Sequence, residues 1–213
     1  GRTGVAVTGT HGKTTTSAMT AVLLTGAGAD PGYVVGSPLT DTGRAWHLGG
    51  GAAFVVEADE SDGSFRQYPA AIAVVTNVEA DHLDNWGTPA GYAAGFVDFA
   101  TAPGVATVVI SADDPGAVAL TPAIRRAGKH VVTVGESAGA DVRLSAIEST
   151  QGGSRAVLTA DDDRGDLVLA VPGRYNLHNA AAAYAVGRAL GLPGAALRAA
   201  ASGFSGTSRR FEP

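Results

Sequence analysis

"VAVTGTHGKTTTSAMTAVL", residues 5–23, decides how this chain is read. A β-branched apolar run leads into a glycine turn with one lysine, and apolar residues at helical spacing follow. That order is strand, turn, helix. The usual phosphate loop has the spacing G-x-x-x-x-G-K-[ST]. Here Gly12-Lys13-Thr14 supplies the end of it, Val7 stands where the first glycine is expected, and Gly9 comes late. The physical parts remain. Gly9 and Gly12 let backbone N–H groups turn towards an anion. Lys13 offers a cation for β- and γ-phosphates, Thr14 a hydroxyl for Mg²⁺, and the helix start its positive end. Lysine is scarce: of 15 basic residues only Lys13 and Lys129 are lysines.

Outward from this unit, strand-like runs at 33–35, 52–59, 71–78, 106–111 and 130–135 alternate with helical stretches at 13–26, 88–100 and 115–128. Gly26 and Gly28 suit the end of the first helix. Thr88 and Pro89 suit the cap and first position of the second, and Pro122 is expected to interrupt the third. Alternation of this kind predicts a mostly parallel, doubly wound α/β sheet flanked by helices. Sites in such sheets lie at the carboxyl ends of the strands. The polar segments 9–14, 57–62 and 77–84 each follow a strand, so they are expected to converge on one sheet edge. After Asp141 the texture changes to short alternating runs split by "TQGGS" and "DDDRGD". These predict a small antiparallel β subdomain over about 141–172, followed by helices over 176–191 and 193–204. The whole chain, 1–213, reads as one domain.

Net charge −5 and the lack of a basic stripe disfavour a nucleic-acid partner. No apolar run is long enough to span a membrane. With no cysteine there is no disulfide framework, thiolate nucleophile or Cys-based metal site, which fits a cytoplasmic protein. Both ends look cut, and the chain is expected to be a piece of a longer enzyme.

A phosphate loop needs oxygen ligands for its cation. "EADESD" offers Glu57, Asp59, Glu60 and Asp62 after a strand, and Glu57, closing the apolar run, is best placed to face the phosphates. "TNVEADHLDNW" sets His82 between Asp81 and Asp84, where a histidine can serve a second metal or orient a phosphoryl group.

"GTHGKTTT", "EADESDGSF", "TNVEADHLDNW", "GRYNLHNAAAA" and "SGTSRRFE" occur in the order seen in Mur ligases. The chain resembles the central ATP-binding domain of that family, whose own loop has the shortened form found here. Within the family the resemblance is strongest to the alanine-adding branch. It implies an ATP-dependent carboxylate–amine ligase of peptidoglycan precursor synthesis. ATP phosphorylates the carboxylate of UDP-N-acetylmuramate, and the amine of L-alanine attacks the acyl phosphate. By motif, Gly9, Thr10, His11, Gly12, Lys13, Thr14 and Thr15 hold the ATP phosphates. Thr14 and Glu57 bind the first Mg²⁺, and His82 sits by a second; Mn²⁺ could replace either. Asn176 and Asn179 meet the adenine, and Arg210 reaches the γ-phosphate, so that Lys13, Glu57, His82 and Arg210 form the catalytic set. On local grounds alone Asn176 suits a helix N-cap, and Arg209-Arg210 a solvated pair.

Two departures matter. Tyr175 stands where many relatives carry histidine, and no lysine between Lys13 and Lys129 could carry the carbamate found in several Mur ligases; the alanine-adding branch also lacks it. The family's N-terminal UDP-binding domain and C-terminal domain are absent from this chain, so it is not expected to ligate alone. The competing readings are a muropeptide ligase acting on the same sugar nucleotide and a non-catalytic ATP-binding module. A GTPase would need an N-K-x-D segment, which is missing.

Overall fold

A computed structural model describes residues 1–208. Ten strands form one sheet. They are β1 (Thr3–Thr8), β2 (Gly32–Val34), β3 (Trp46–His47), β4 (Ala53–Glu57), β5 (Ile72–Val75), β6 (Thr107–Ser111), β7 (His130–Gly135), β8 (Val142–Thr150), β9 (Gly153–Ala160) and β10 (Asp163–Leu169). Their spatial order is β10-β9-β8-β7-β6-β5-β1-β4-β2-β3. The six strands from β2 to β7, β3 excepted and β1 included, run parallel; β3 and the β8–β9–β10 meander pair antiparallel. The meander is the far edge of the same sheet, because β8 continues β7 as a parallel neighbour at Val134↔Val142.

Among the described residues six α-helices accompany the sheet: α1 (Lys13–Gly26), α2 (Leu83–Trp86), α3 (Pro89–Ala100), α4 (Pro115–Arg126), α5 (Arg174–Ala189) and α6 (Gly194–Ala201). The strand pleat sorts them into two layers. Val5, Val7, Val74 and Val109 point to a core shared with α1, α5 and α6. Ala6, Ala73, Val75, Val108 and Ile110 point the other way, to α3 and α4. Both faces of the central strands are therefore covered, which explains their unbroken apolar character. The crossover after β1 runs on one face and those after β5 and β6 on the other. The chain thus switches direction at the β1/β5 border, where such sheets open a crevice.

Helix α1 is buried nearly all round, so its hydroxyls need internal partners. Thr20 donates to the Thr16 carbonyl at 2.7 Å and Ser17 to the Lys13 carbonyl at 2.9 Å. Gly28 ends the helix at φ 86° as expected. Gly26 is instead its last helical residue, where an added Cβ would meet Ala200 of α6. Thr88 caps α3, accepting from the Gly91 N–H at 3.0 Å.

Two local expectations are corrected. Pro122 does not interrupt α4, which runs unbroken from Pro115 to Arg126. Asp114 caps it through the Ala117 N–H at 2.8 Å, and buried Ala117, Leu120 and Ile124 hold one face. The carbonyl deprived of its donor is that of Val118, which lies on the exposed side where water can serve it. Asn176 is not a cap either: α5 begins at Arg174 behind Gly173, and the Asn176 amide donates back to the Pro172 carbonyl at 2.7 Å. No helix among the described residues is long and apolar enough to cross a membrane.

Candidate nucleotide site

The three polar segments do converge, and the contacts are specific. Gly9 (φ 134°) and Gly12 (φ 83°) both take backbone angles that favour glycine. A Cβ on Gly9 would fall on the Thr76 hydroxyl, and one on Gly12 would lie 3.0 Å from Asn179 Oδ1. The loop is thus pressed against the end of β5 on one side and α5 on the other. Thr10 is buried; its hydroxyl accepts from the Glu79 N–H (3.0 Å) and meets the Tyr92 hydroxyl (2.9 Å). The His11 backbone is clamped by Asn77, accepting from the amide and donating to Oδ1, both at 2.8 Å. The first turn of α1 carries amide N–H groups with no intrahelical acceptor, and Gly12, Lys13 and Thr14 stay partly exposed there.

The two charged contacts join the loop to the end of β4. Thr14 Oγ1 donates to Glu57 Oε1 at 2.9 Å, and Glu57 Oε2 accepts from the Gly36 N–H at 2.6 Å. A hydroxyl and a carboxylate side by side are hard oxygen ligands that fit Mg²⁺. The Lys13 ammonium lies 2.8 Å from Glu60 Oε2, and donates to the Gly9 (2.9 Å) and Thr10 (3.4 Å) carbonyls. Glu60 is only 1% exposed. Its Oε2 lies off hydrogen-bond geometry, so the Lys13 contact is an ion pair and not an aligned hydrogen bond. Tyr92 faces the same carboxylate at 3.4 Å, and burial is the main cause pushing its hydroxyl up to about 12.

His82 sits outside this cluster, in a left-handed conformation (φ 50°) at the start of α2, with its ring 3.8 Å from Asp81. Its helix is nonetheless fastened to the acidic loop: Trp86 Nε1 donates to the Glu60 carbonyl at 3.0 Å and Asn85 to that of Ser61 at 3.2 Å. Beside the loop opens a cleft of about 470 Å³, bordered by His11, Asn77, Pro115, Tyr175, His178 and Asn179 among others. Asn179 thus lies where loop and cleft meet, whereas Asn176 turns back to its own helix start. Arg209 and Arg210 lie outside the described residues.

Among the described residues, the one group of three acid and histidine ligand atoms is elsewhere, at Asp113, Glu136 and His178. Arg174 occupies Glu136 through Nε and Nη2, and His178 Nε2 lies 2.9 Å from Glu136 Oε1. Asp113 has its carboxyl lowered: burial opposes this, but the Ser137 hydroxyl, two amides and His178 outweigh it. The cluster braces the start of α5 to the ends of β6 and β7.

Sequence reasoning passed over Asn77 and Tyr92, and named Glu60 only as one of four candidate acids. Nothing in "EADESD" tells which acid is buried. Tyr92 shares its helical face with Phe96 and Phe99, so it reads as core.

A glycine loop between a central parallel strand and a buried helix, with lysine, threonine and acids at the switch point, defines a P-loop nucleotide-binding α/β protein. The Mur ligase middle domain family matches residues 7–187. The chain belongs to the Mur ligase family. It is 58% identical over 213 residues to a UDP-N-acetylmuramate–L-alanine ligase of Cutibacterium acnes, covering 100% of this chain and 45% of that protein. It is 50% identical over 214 residues to that of Kineococcus radiotolerans, with the same coverage. The crystal structure of the UDP-N-acetylmuramate–alanine ligase of Thermotoga maritima superposes with TM-score 0.81 at 29% identity, over 99% of this chain and 47% of that one. The UDP-N-acetylmuramate:L-alanyl-γ-D-glutamyl-meso-diaminopimelate ligase of Neisseria meningitides, a muropeptide-adding enzyme by that name, superposes with TM-score 0.83 at 25% identity, over 98% of this chain and 68% of that one. The chain therefore spans less than half the length of the Cutibacterium and Kineococcus ligases.

Proposed function

We propose that this chain is the central ATP-binding domain of a UDP-N-acetylmuramate–L-alanine ligase, working in the cytoplasm between a UDP-binding domain and a C-terminal domain. The observation that carries the nucleotide part is the pair of contacts Thr14–Glu57 and Lys13–Glu60, which bind the phosphate loop to the acidic strand end. Identity over the whole chain to alanine-adding ligases supports the substrate assignment.

In this reading the amides of residues 9–15 cradle the phosphates, because the helix start concentrates unpaired N–H groups there. Lys13 turns its ammonium onto the β- and γ-phosphates. Thr14 and Glu57 hold Mg²⁺, and His82 faces a second ion and the carboxylate being activated. Asn179 and Tyr175 border the adenine, with Asn176 behind them and Arg210 at the γ-phosphate. ATP, when bound with its metal, supplies the phosphoryl group that makes a carboxylate oxygen a leaving group. The domain's task is positioning and charge neutralisation.

The experiment is ligation of UDP-N-acetylmuramate and L-alanine with ATP, followed by ADP release. The full-length protein is expected to turn over and the 213-residue chain alone is not. Likeness to the muropeptide ligase favours a second reading; it takes over if the peptide replaces L-alanine at equal or better kcat/KM.

A further inference from the structure

We propose that Glu60 is a positioning residue for Lys13, a buried pivot that keeps the ammonium within reach of the phosphates. The inference rests on the nucleotide-site reading above. The Lys13 ammonium has three donors; it donates to the Gly9 and Thr10 carbonyls and is ion-paired with Glu60 Oε2. To reach a phosphate, Lys13 must release one or more of them. The two carbonyls are neutral and part of a half-open loop. Glu60 is a carboxylate with 1% exposure, and Lys13 is its only cationic partner among the described residues.

The remaining groups facing Glu60 cannot take the place of Lys13. Tyr92 lies at 3.4 Å and stays a neutral hydroxyl, its proton held up to about 12. Trp86 and Gly63 donate to the Glu60 backbone carbonyl and not to its carboxylate. Removing the ammonium would leave a buried charge uncompensated, which is the costly way to break such a pair. Lys13 therefore keeps Glu60 and exchanges the carbonyls for phosphate oxygens. Its swing is an arc about a fixed point instead of a free search by a long, flexible side chain. Glu60 is itself anchored, since Trp86 fastens its backbone to the helix that carries His82. The pivot and the histidine are thus set by one brace.

The test is a double-mutant cycle between Lys13→Met and Glu60→Gln in the full-length protein. It is read by melting temperature and by calorimetric Kd for Mg·ATP and Mg·ADP. The pivot predicts that Lys13→Met melts below wild type and that adding Glu60→Gln recovers most of the loss. It predicts that Glu60→Gln alone lowers the preference for ATP over ADP by about fivefold or more, with Lys13→Met then costing less affinity than it does in wild type. Should Glu60→Gln not fold, Glu60→Asp keeps the charge one methylene further back, and the same fall in preference is expected. Additive effects in both readouts, or an unchanged ATP-to-ADP preference, overturn the proposal. Failure of the underlying reading has its own appearance: wild type shows no Mg·ATP binding that Lys13→Met removes. The proposal then falls with its premise, even if the melting cycle still reports the pair.

Discussion

The phosphate loop and the start of α5 border one cleft, yet they are built in opposite ways. Residues 9–14 take their course from the motif itself, through two glycines at positive φ and a lysine returned to its own loop carbonyls, and Asn77, Glu79 and Tyr92 then hold that preset loop from outside. The start of α5 is braced from without. Arg174 and His178 are held by Glu136, itself tied to Asp113, residues that lie 38 or more positions away in sequence. Tyr175 stands 85% exposed at the rim. An anion is recognised by backbone geometry that a short motif can encode, whereas a nucleoside is received by a helix end whose placement depends on the whole sheet.

The largest expected effect falls on the loop. Lys13→Met should weaken Mg·ATP binding by on the order of 100-fold by calorimetry, the loss of a charge-assisted contact in a half-buried site. Gly9→Ala comes next. Its Cβ would fall on the Thr76 hydroxyl at a φ that disfavours alanine, so the melting curve should report about 2 kcal/mol of lost stability. Glu136→Gln tests the other side. Loosening α5 should weaken ATP binding about fivefold and leave the Mg²⁺ requirement unchanged; an altered Mg²⁺ requirement would merge the two regions into one. Tyr175→Ala should cost only about two- to threefold, because an exposed ring contributes little before a base covers it.

The same contrast explains what could be read from sequence. The order of β1, α1, β4 and β5 was legible because apolar runs and glycine turns are local. So was the convergence of 9–14, 57–62 and 77–84, which follows from strand ends in a parallel sheet. Pro122 reads as a breaker in sequence, but the buried face of Ala117, Leu120 and Ile124 overrides a single helix-breaking residue. Glu60 was illegible for a different reason: burial of one acid among four is decided by Tyr92 and Trp86, which arrive from 26 or more residues on. Asn176 and Asn179 came from the family resemblance alone, and the structure separates them, one against Gly12 and the other against Pro172.

The smallest effect on nucleotide binding belongs to the meander edge, remote from the cleft. Asp163 has its carboxyl held below its ordinary value of 3.8, first by hydrogen bonds from Arg198, against burial, and then by Tyr184. A depressed folded-state value means that this stabilisation is complete above the ordinary value. It is lost as pH falls below 3.8 and through the folded value. Asp163→Asn should therefore lower the melting temperature at neutral pH, with the difference from wild type closing in strong acid. ATP affinity should stay unchanged within error.

The most direct test of the central claim is calorimetric titration of ATP with and without Mg²⁺, for wild type and Glu57→Gln. The glutamine can still accept from Gly36 through its oxygen, so the fold is expected to survive. The account predicts that wild type binds ATP about tenfold or more tightly with Mg²⁺ and that Glu57→Gln loses this dependence. Equal Mg²⁺ dependence in the two proteins would contradict the placement of the metal at Thr14 and Glu57.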